Sequence, residues 1–235
     1  MPTYKKYAKK TYKKYKKKVA STMGKSNTKN LVKLIKSVSL KQLETKQALS
    51  TITPSALLHN VSSRLFANLL GTNQGITDGL STSNRIGDTI TPVGVKMYLQ
   101  MRAPADRPNV TFKIWILKVY GNANPPTFVP VKAITGNNML DPIDTEKASV
   151  IKVLTYKSEA GWYNGTVGNS KENCYFRKVW IPLSRTPYVY SQDNSALGKT
   201  YQIAMYATAY DTIGSLITDI IASIDVSNIL YFKDG

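Results

Sequence analysis

Two groups of residues in this chain offer chemistry, and they are unequal. The smaller consists of one histidine, His59 in SALLHNVSS, and one cysteine, Cys174. A zinc site built from Cys and His within a single chain is therefore excluded. No internal disulfide framework can form either, which fits a reducing compartment. His59 beside an apolar stretch reads as structural, and Cys174, on a strand pattern with no activating base in its sequence surroundings, reads as a buried thiol. Gly24-Lys25-Ser26 and Gly198-Lys199-Thr200 imitate the end of a phosphate loop, but Val19 and Asp193 occupy the place of its first glycine. Asp141, Asp144 and Glu146 in DPIDTE carry oxygens for a hard cation at a spacing that matches no calcium loop, so a solvated turn is expected. No enzymatic reaction, cofactor or metal is expected from this set.

The larger group opens the chain: MPTYKKYAKKTYKKYKKK. Nine of these eighteen residues are lysine, four are tyrosine and none is acidic. Lys5, Lys6, Lys9, Lys10, Lys13, Lys14, Lys16, Lys17 and Lys18 would neutralise phosphates and release condensed counterions, giving salt-sensitive binding with little sequence preference. Tyr4, Tyr7, Tyr12 and Tyr15 recur in two Tyr-Lys-Lys-Tyr units, at 4–7 and 12–15. Their rings can stack on unpaired bases, at roughly 1–3 kcal/mol per base. Lysine on phosphate with tyrosine on base suits a single strand better than a duplex. The plainer alternative is that tyrosine merely fills a basic low-complexity tail. The lysine runs also match a nuclear localisation signal.

Charge is unevenly placed along the 235 residues. Residues 1–50 carry fifteen Lys, no Arg and one acid, Glu44, for a net of +14, whereas residues 51–235 carry seventeen basic and thirteen acidic side chains, for a net of +4. A nearly balanced body with a cationic arm points to a polyanionic partner. No apolar region follows the basic start, and no run of about 18 apolar residues occurs, so a soluble protein without a membrane partner is expected.

Residues 1–30 are too charged to bury enough apolar surface and are expected to be disordered when free. In NLVKLIKSVSLKQLETKQAL, Leu31, Leu34, Ile35 and Val38 follow helical spacing, with Leu43 slightly off the stripe. A short amphipathic helix is predicted over about 31–43. Beyond residue 84 the pattern changes to period two. In VGVKMYLQMR, Val93, Val95, Met97, Leu99 and Met101 alternate with Gly94, Lys96, Tyr98, Gln100 and Arg102. Further strands are predicted at 110–120, 149–158, 173–183, 200–210 and 224–232, separated by connectors rich in Gly, Pro and Asn. This describes one all-β domain of about 180 residues, a sandwich or barrel with Greek-key connections.

The segment GTNQGITDGLSTSNRIGDTITPVGVKMYL carries a resemblance. A Gly-rich polar lead, then Arg85, Gly87, Asp88 and Ile90, then an alternating strand, is similar to the entry to the first core strand in capsid proteins of small circular Rep-encoding single-stranded DNA viruses, the circovirus-like group. The chain also resembles that group in LDPID, KVLTYKS and RKVWIPL, in that order, and in its closing run Tyr231-Phe232-Lys233-Asp234. It departs in its arm, which is usually arginine-rich in that group, whereas the first arginine here is Arg64.

The resemblance covers about residues 66 to 234 and implies an eight-stranded antiparallel jelly-roll sandwich. It further implies self-assembly into an icosahedral shell of sixty copies, with the arm turned inward onto a single-stranded DNA genome. Sixty arms would bring on the order of 840 positive charges, one per phosphate. Arg64 joins the candidate genome contacts if its segment faces the interior. The expected division is a nucleic-acid-binding arm at 1–50 and a jelly-roll shell domain at 51–235. The virion, the host nucleus during assembly and the nuclear import machinery follow from the same likeness. A small RNA virus coat protein shares nearly every feature. A non-viral nucleic-acid-binding protein with a basic tail, ribosomal or architectural, would spread basic residues over its body, and residues 51–235 show no such excess.

Overall fold

A computed structural model describes residues 30–32, 34, 35, 38, 43–71, 85, 87–104, 107, 109–120, 129–158, 173–190, 201–212 and 214–234. The chain divides into two units, Met1–Glu44 and Thr45–Gly235. In the first, the described residues from 30 to 38 are helical, and Leu31, Val32, Leu34, Ile35 and Val38 are exposed. Leu43, expected within the helix, sits at a bend instead. Its offset from the apolar stripe is the sequence counterpart of that break.

The second unit is all β. Its strands are β1 (Thr45–Leu58), β2 (Ser63–Phe66), β3 (Thr89–Ala103), β4 (Thr111–Tyr120), β5 (Ala148–Lys157), β6 (Asn173–Pro182), β7 (Tyr188–Val189), β8 (Tyr201–Tyr210) and β9 (Ile220–Asp234). One sheet has the order β1-β9-β3-β6, with β7 pairing the start of β3, and the other has the order β2-β8-β4-β5. All the pairings between these strands are antiparallel. Leaving aside the two-residue β7, the other eight strands cross from one sheet to the other at every step except the β4–β5 pair, which is the double Greek-key order of the jelly roll.

The alternation in β3 decides which side faces in. Val95, Met97, Leu99 and Met101 are buried against Phe112, Ile114 and Ile116 of β4, Ile203 and Met205 of β8, and Val226, Leu230 and Phe232 of β9 within one core cluster. Each such side chain contributes roughly 1.5–3 kcal/mol by leaving water. β4 and β8 are apolar on both faces for a second reason. Their outward residues Trp115, Leu117, Val119, Ala204 and Tyr206 form another cluster with Val131, Ala148 and Ile143. The connector before β5 therefore roofs the β2-β8-β4-β5 sheet. Hydrogen bonds from Asn138 N to Asn60 Oδ1 (2.8 Å), Asn138 Nδ2 to Asn60 O (2.6 Å) and Lys113 Nζ to Met139 O (2.6 Å) pin that roof.

β1 begins at Thr45, upstream of the boundary expected at 51. Lys46 is buried there, its ammonium 2.9 Å from the Asp234 carboxylate at the far end of β9. The strand is rich in hydroxyls and contains Pro54, which falls within a register shift between Ile52 and Ser55 on the sheet's edge. An edge bulge is where a sheet tolerates proline.

Candidate functional site

The arm residues singled out by sequence, Tyr4, Lys5, Lys6, Tyr7, Lys9, Lys10, Tyr12, Lys13, Lys14, Tyr15, Lys16, Lys17 and Lys18, lie outside the described residues. Arg64 lies in β2, half-buried and directly across from Tyr206, which is in turn across from Trp115. That row is on the roofed side of its sheet. Burial pushes the Tyr206 phenol up to about 12, against the charge of Arg64 and a hydrogen bond with it.

The motif that opens β3 is a structural clamp. Arg85 is only 1% exposed. Gly87 has φ +97°, a backbone state closed to most side chains. The turn carries its carbonyl, and the Asp88 carboxylate 3.3 Å away, to the Arg85 Nη1. The guanidinium lies 4.5 Å from the ring centre of Tyr190. Tyr190 donates its hydroxyl to Leu70 O at 2.9 Å and its N–H to Asp88 O at 2.8 Å. Burial drives its phenol far above the usual range. Asn68 completes the knot, donating to the Tyr188 hydroxyl at 2.8 Å and accepting from Leu70 N and Ile203 N at 3.1 Å each. Ile90 is wholly buried in the main core. Arg85 thus ties the β3 entry to the segment after β2 and to the segment after β7.

Two expectations are corrected. Asp141 does not stand in a solvated turn but is buried, accepting from Thr135 N and Oγ1 at 2.7 Å each. The Thr135 N–H holds its carboxyl below the usual carboxylate range. Asp144 meets the Lys147 ammonium at 2.9 Å, and Glu146 is exposed. Among the described residues no three His, Cys, Asp or Glu side chains converge to hold a metal ion. Cys174, expected to be a buried thiol, is only half-buried, because it sits on edge strand β6 with its Sγ 3.3 Å from Gln100 Nε2.

His59 closes a polar knot at one end of the sandwich. Its Nδ1 lies 3.4 Å from the Asp211 carboxylate, and its ring is 4.8 Å from that of Tyr210. Asp211 also takes hydrogen bonds from Arg107 at 2.9 Å and Ser215 Oγ at 2.6 Å. The Arg107 guanidinium reaches Asp219 as well, at 3.5 Å. These contacts fasten the ends of β1 and β8 to the β3–β4 and β8–β9 connectors, a holding role.

Sequence reasoning passed over the outward face of the β1-β9-β3-β6 sheet. Register brings Lys96 opposite Trp180, Tyr98 opposite Lys178 and Gln100 opposite Phe176. The signal was present as period-two alternation, Lys96 then Tyr98, and Phe176 then Lys178 then Trp180. What the alternation does not tell is which sheet acquires a roof.

The fold and these contacts define a single jelly-roll domain whose entry motif is structural. No protein-family model matches the chain, and no curated protein matches it. Solved structures that align with it include infectious bursal disease virus, Gx strain, at 10% identity over 82% of this chain and 33% of that one, with a TM-score of 0.34. The 60-mer BFDV capsid protein aligns at 10% identity over 81% of this chain and 92% of that one, with a TM-score of 0.33. A semi-empty particle of the giant freshwater prawn Macrobrachium rosenbergii nodavirus aligns at 12% identity over 80% and 85%, with a TM-score of 0.25. This chain spans about a third of the first of these. At such values the likeness adds nothing to the fold already described.

Proposed function

We propose that this chain is a viral capsid protein. Its jelly-roll unit self-assembles into an icosahedral shell, and its Lys/Tyr arm condenses a single-stranded genome inside it. The observation that carries this reading is the division of charge. A net of +14 sits on residues 1–50, against +4 on residues 51–235. A nearly neutral body packs against copies of itself, while the polycation is sequestered with its polyanion. A non-viral binding protein would need basic residues along its folded surface instead. The resemblance at Arg85, Gly87, Asp88 and Ile90 favours DNA and a sixty-copy shell. An RNA genome is the second reading, because the fold, the lysines and the tyrosines serve it equally well. The lysine runs would also admit the chain to the host nucleus.

The test is nuclease typing of what co-purifies with the full chain. Contents that resist nuclease until the particle is opened, and then yield to DNase, support the reading as stated. Sensitivity to RNase alone moves the genome to RNA. Changing the nine lysines among residues 1–18 to glutamine should give shells that hold far less nucleic acid. If the variant packages as much as the parent, the arm is not the packaging element.

A further inference from the structure

The two outer faces of the sandwich differ. One is roofed by the chain itself, through Val131 and Ile143 over Trp115 and Tyr206. The other, on the β1-β9-β3-β6 sheet, leaves large aromatic rings in solvent: Phe176 is 68% exposed, Trp180 49% and Tyr98 39%. Three large rings grouped on one face exceed the single, scattered apolar residues that are normal on a protein surface. Here they do not form an apolar patch, because cations interrupt them. The Lys96 and Lys178 ammonium groups lie 5.4 and 5.9 Å from the centre of the Tyr98 ring. The Asp225 carboxylate on this face is bound to Arg102 at 2.6 Å.

The platform is built rather than accidental. A Cβ at Gly94 would fall 2.4 Å from Trp180 Cζ2 and 2.6 Å from its Cη2. Gly94 is thus the gap that lets the indole lie down on the sheet, edge-on to Tyr231 with ring centres 5.4 Å apart. On the same sheet a groove of about 410 Å³ runs between Tyr98, Phe176, Arg177, Lys178, Asp225 and Ser227. Rings held against a sheet, with lysines as cross-strand neighbours, form a stacking surface with a phosphate-binding rim.

We propose that this face is a second contact surface for single-stranded nucleic acid, on which unpaired bases stack against Trp180, Tyr98 and Phe176 while Lys96 and Lys178 neutralise phosphates. The inference rests on the nucleic-acid half of the function proposed above and not on the shell. Charge selects the occupant. A second copy seated face to face would set Lys96 and Lys178 against their own counterparts, a like-charge contact that destabilises. A duplex would offer phosphates but no free base faces.

The experiment uses the full chain with a single-stranded oligothymidylate carrying 5-iodouracil, irradiated and digested, with the crosslinked peptides mapped. The expected result is crosslinks at Tyr98, Phe176 or Trp180 as well as at the arm tyrosines. Crosslinks confined to the arm overturn this inference and leave the packaging function intact; none anywhere removes both. Crosslinks lost from the face on oligomerisation also overturn it. In salt of about 0.5 M, which screens the arm, the full chain carrying Tyr98→Ala and Trp180→Ala should bind the same oligothymidylate about 10-fold or more weaker, since each stacked base is worth roughly 5- to 150-fold. Trp180→Phe keeps a ring and should bind nearly as the parent does. An equal loss in both variants would mean damage to the fold, not loss of stacking, and would count against the platform.

Discussion

Asp211→Ala should be among the most destabilising single changes outside the apolar core. The Asp211 side chain is wholly buried, and the Arg107 side chain is 21% exposed. Removing the carboxylate strips Arg107 of a 2.9 Å partner and Ser215 of a 2.6 Å acceptor. Charge-assisted hydrogen bonds contribute about 1.5–3 kcal/mol each. Breaking a buried pair from one side costs about 3–5 kcal/mol, because the remaining charge stays uncompensated. Two features moderate the loss here. Arg107 keeps some access to water, and Asp219 stands 3.5 Å from its guanidinium. A loss of about 3 kcal/mol is therefore expected. Urea unfolding of the unassembled protein, followed by tryptophan emission, measures it as a lower midpoint at unchanged slope. Arg107→Met alone should cost a similar amount. The double variant Asp211→Ala with Arg107→Met should lose at least about 1.5 kcal/mol less than the sum of the singles, because the second change removes the orphaned charge. A single-variant loss under about 1 kcal/mol, or singles that add within about 0.5 kcal/mol, would refute the assignment of a coupled knot.

Three further predictions follow from the same structure. Arg85→Lys, which keeps the charge but not the planar fork, should cost about 1–3 kcal/mol, read as a lower midpoint in the same titration; no change would mean that the Tyr190 and Gly87 contacts are idle. Gly94→Ala should lift the indole of Trp180 off the sheet and shift its emission, at a cost of about 1–3 kcal/mol from overpacking; an unaltered spectrum would contradict the contact. Asp141 has its carboxyl held below the ordinary value of 3.8 by Thr135, so its contribution is full above that value and is lost as pH falls through the lower, folded one. Asp141→Asn should flatten the acid limb of the stability profile, and an unchanged limb would show that Thr135 does not hold the charge.

The parts of the fold that could be read in the chain are those whose residues respond to one surface at a time. β3 declares itself because Met97, Leu99 and Met101 face the core while Lys96, Tyr98 and Gln100 face water. β9 does so through Val226, Leu230 and Phe232. β4 and β8 are legible as strands, but the apolar residues on both of their faces hide the roof, since Trp115 and Met205 look alike in sequence and point to opposite sides. β1 escaped because its pairing with β9 depends on residues far apart, Thr45 with Lys233 for one, and Pro54 argues locally against a strand. β2 and β7 are too short to show a period. The lysine and tyrosine content of residues 1–18 is legible from composition, and those residues lie outside the described ones. The aromatic platform was not, because bareness is a property of the assembled sandwich, and the Phe176-to-Trp180 alternation reads equally well as a half-buried strand.

The central claim is tested most directly by imaging the purified full chain by negative stain alongside its absorbance ratio at 260 and 280 nm. The account predicts closed particles of one size that carry nucleic acid. A chain that stays monomeric across salt and pH while still binding nucleic acid would contradict the shell and leave a simple binding protein in its place.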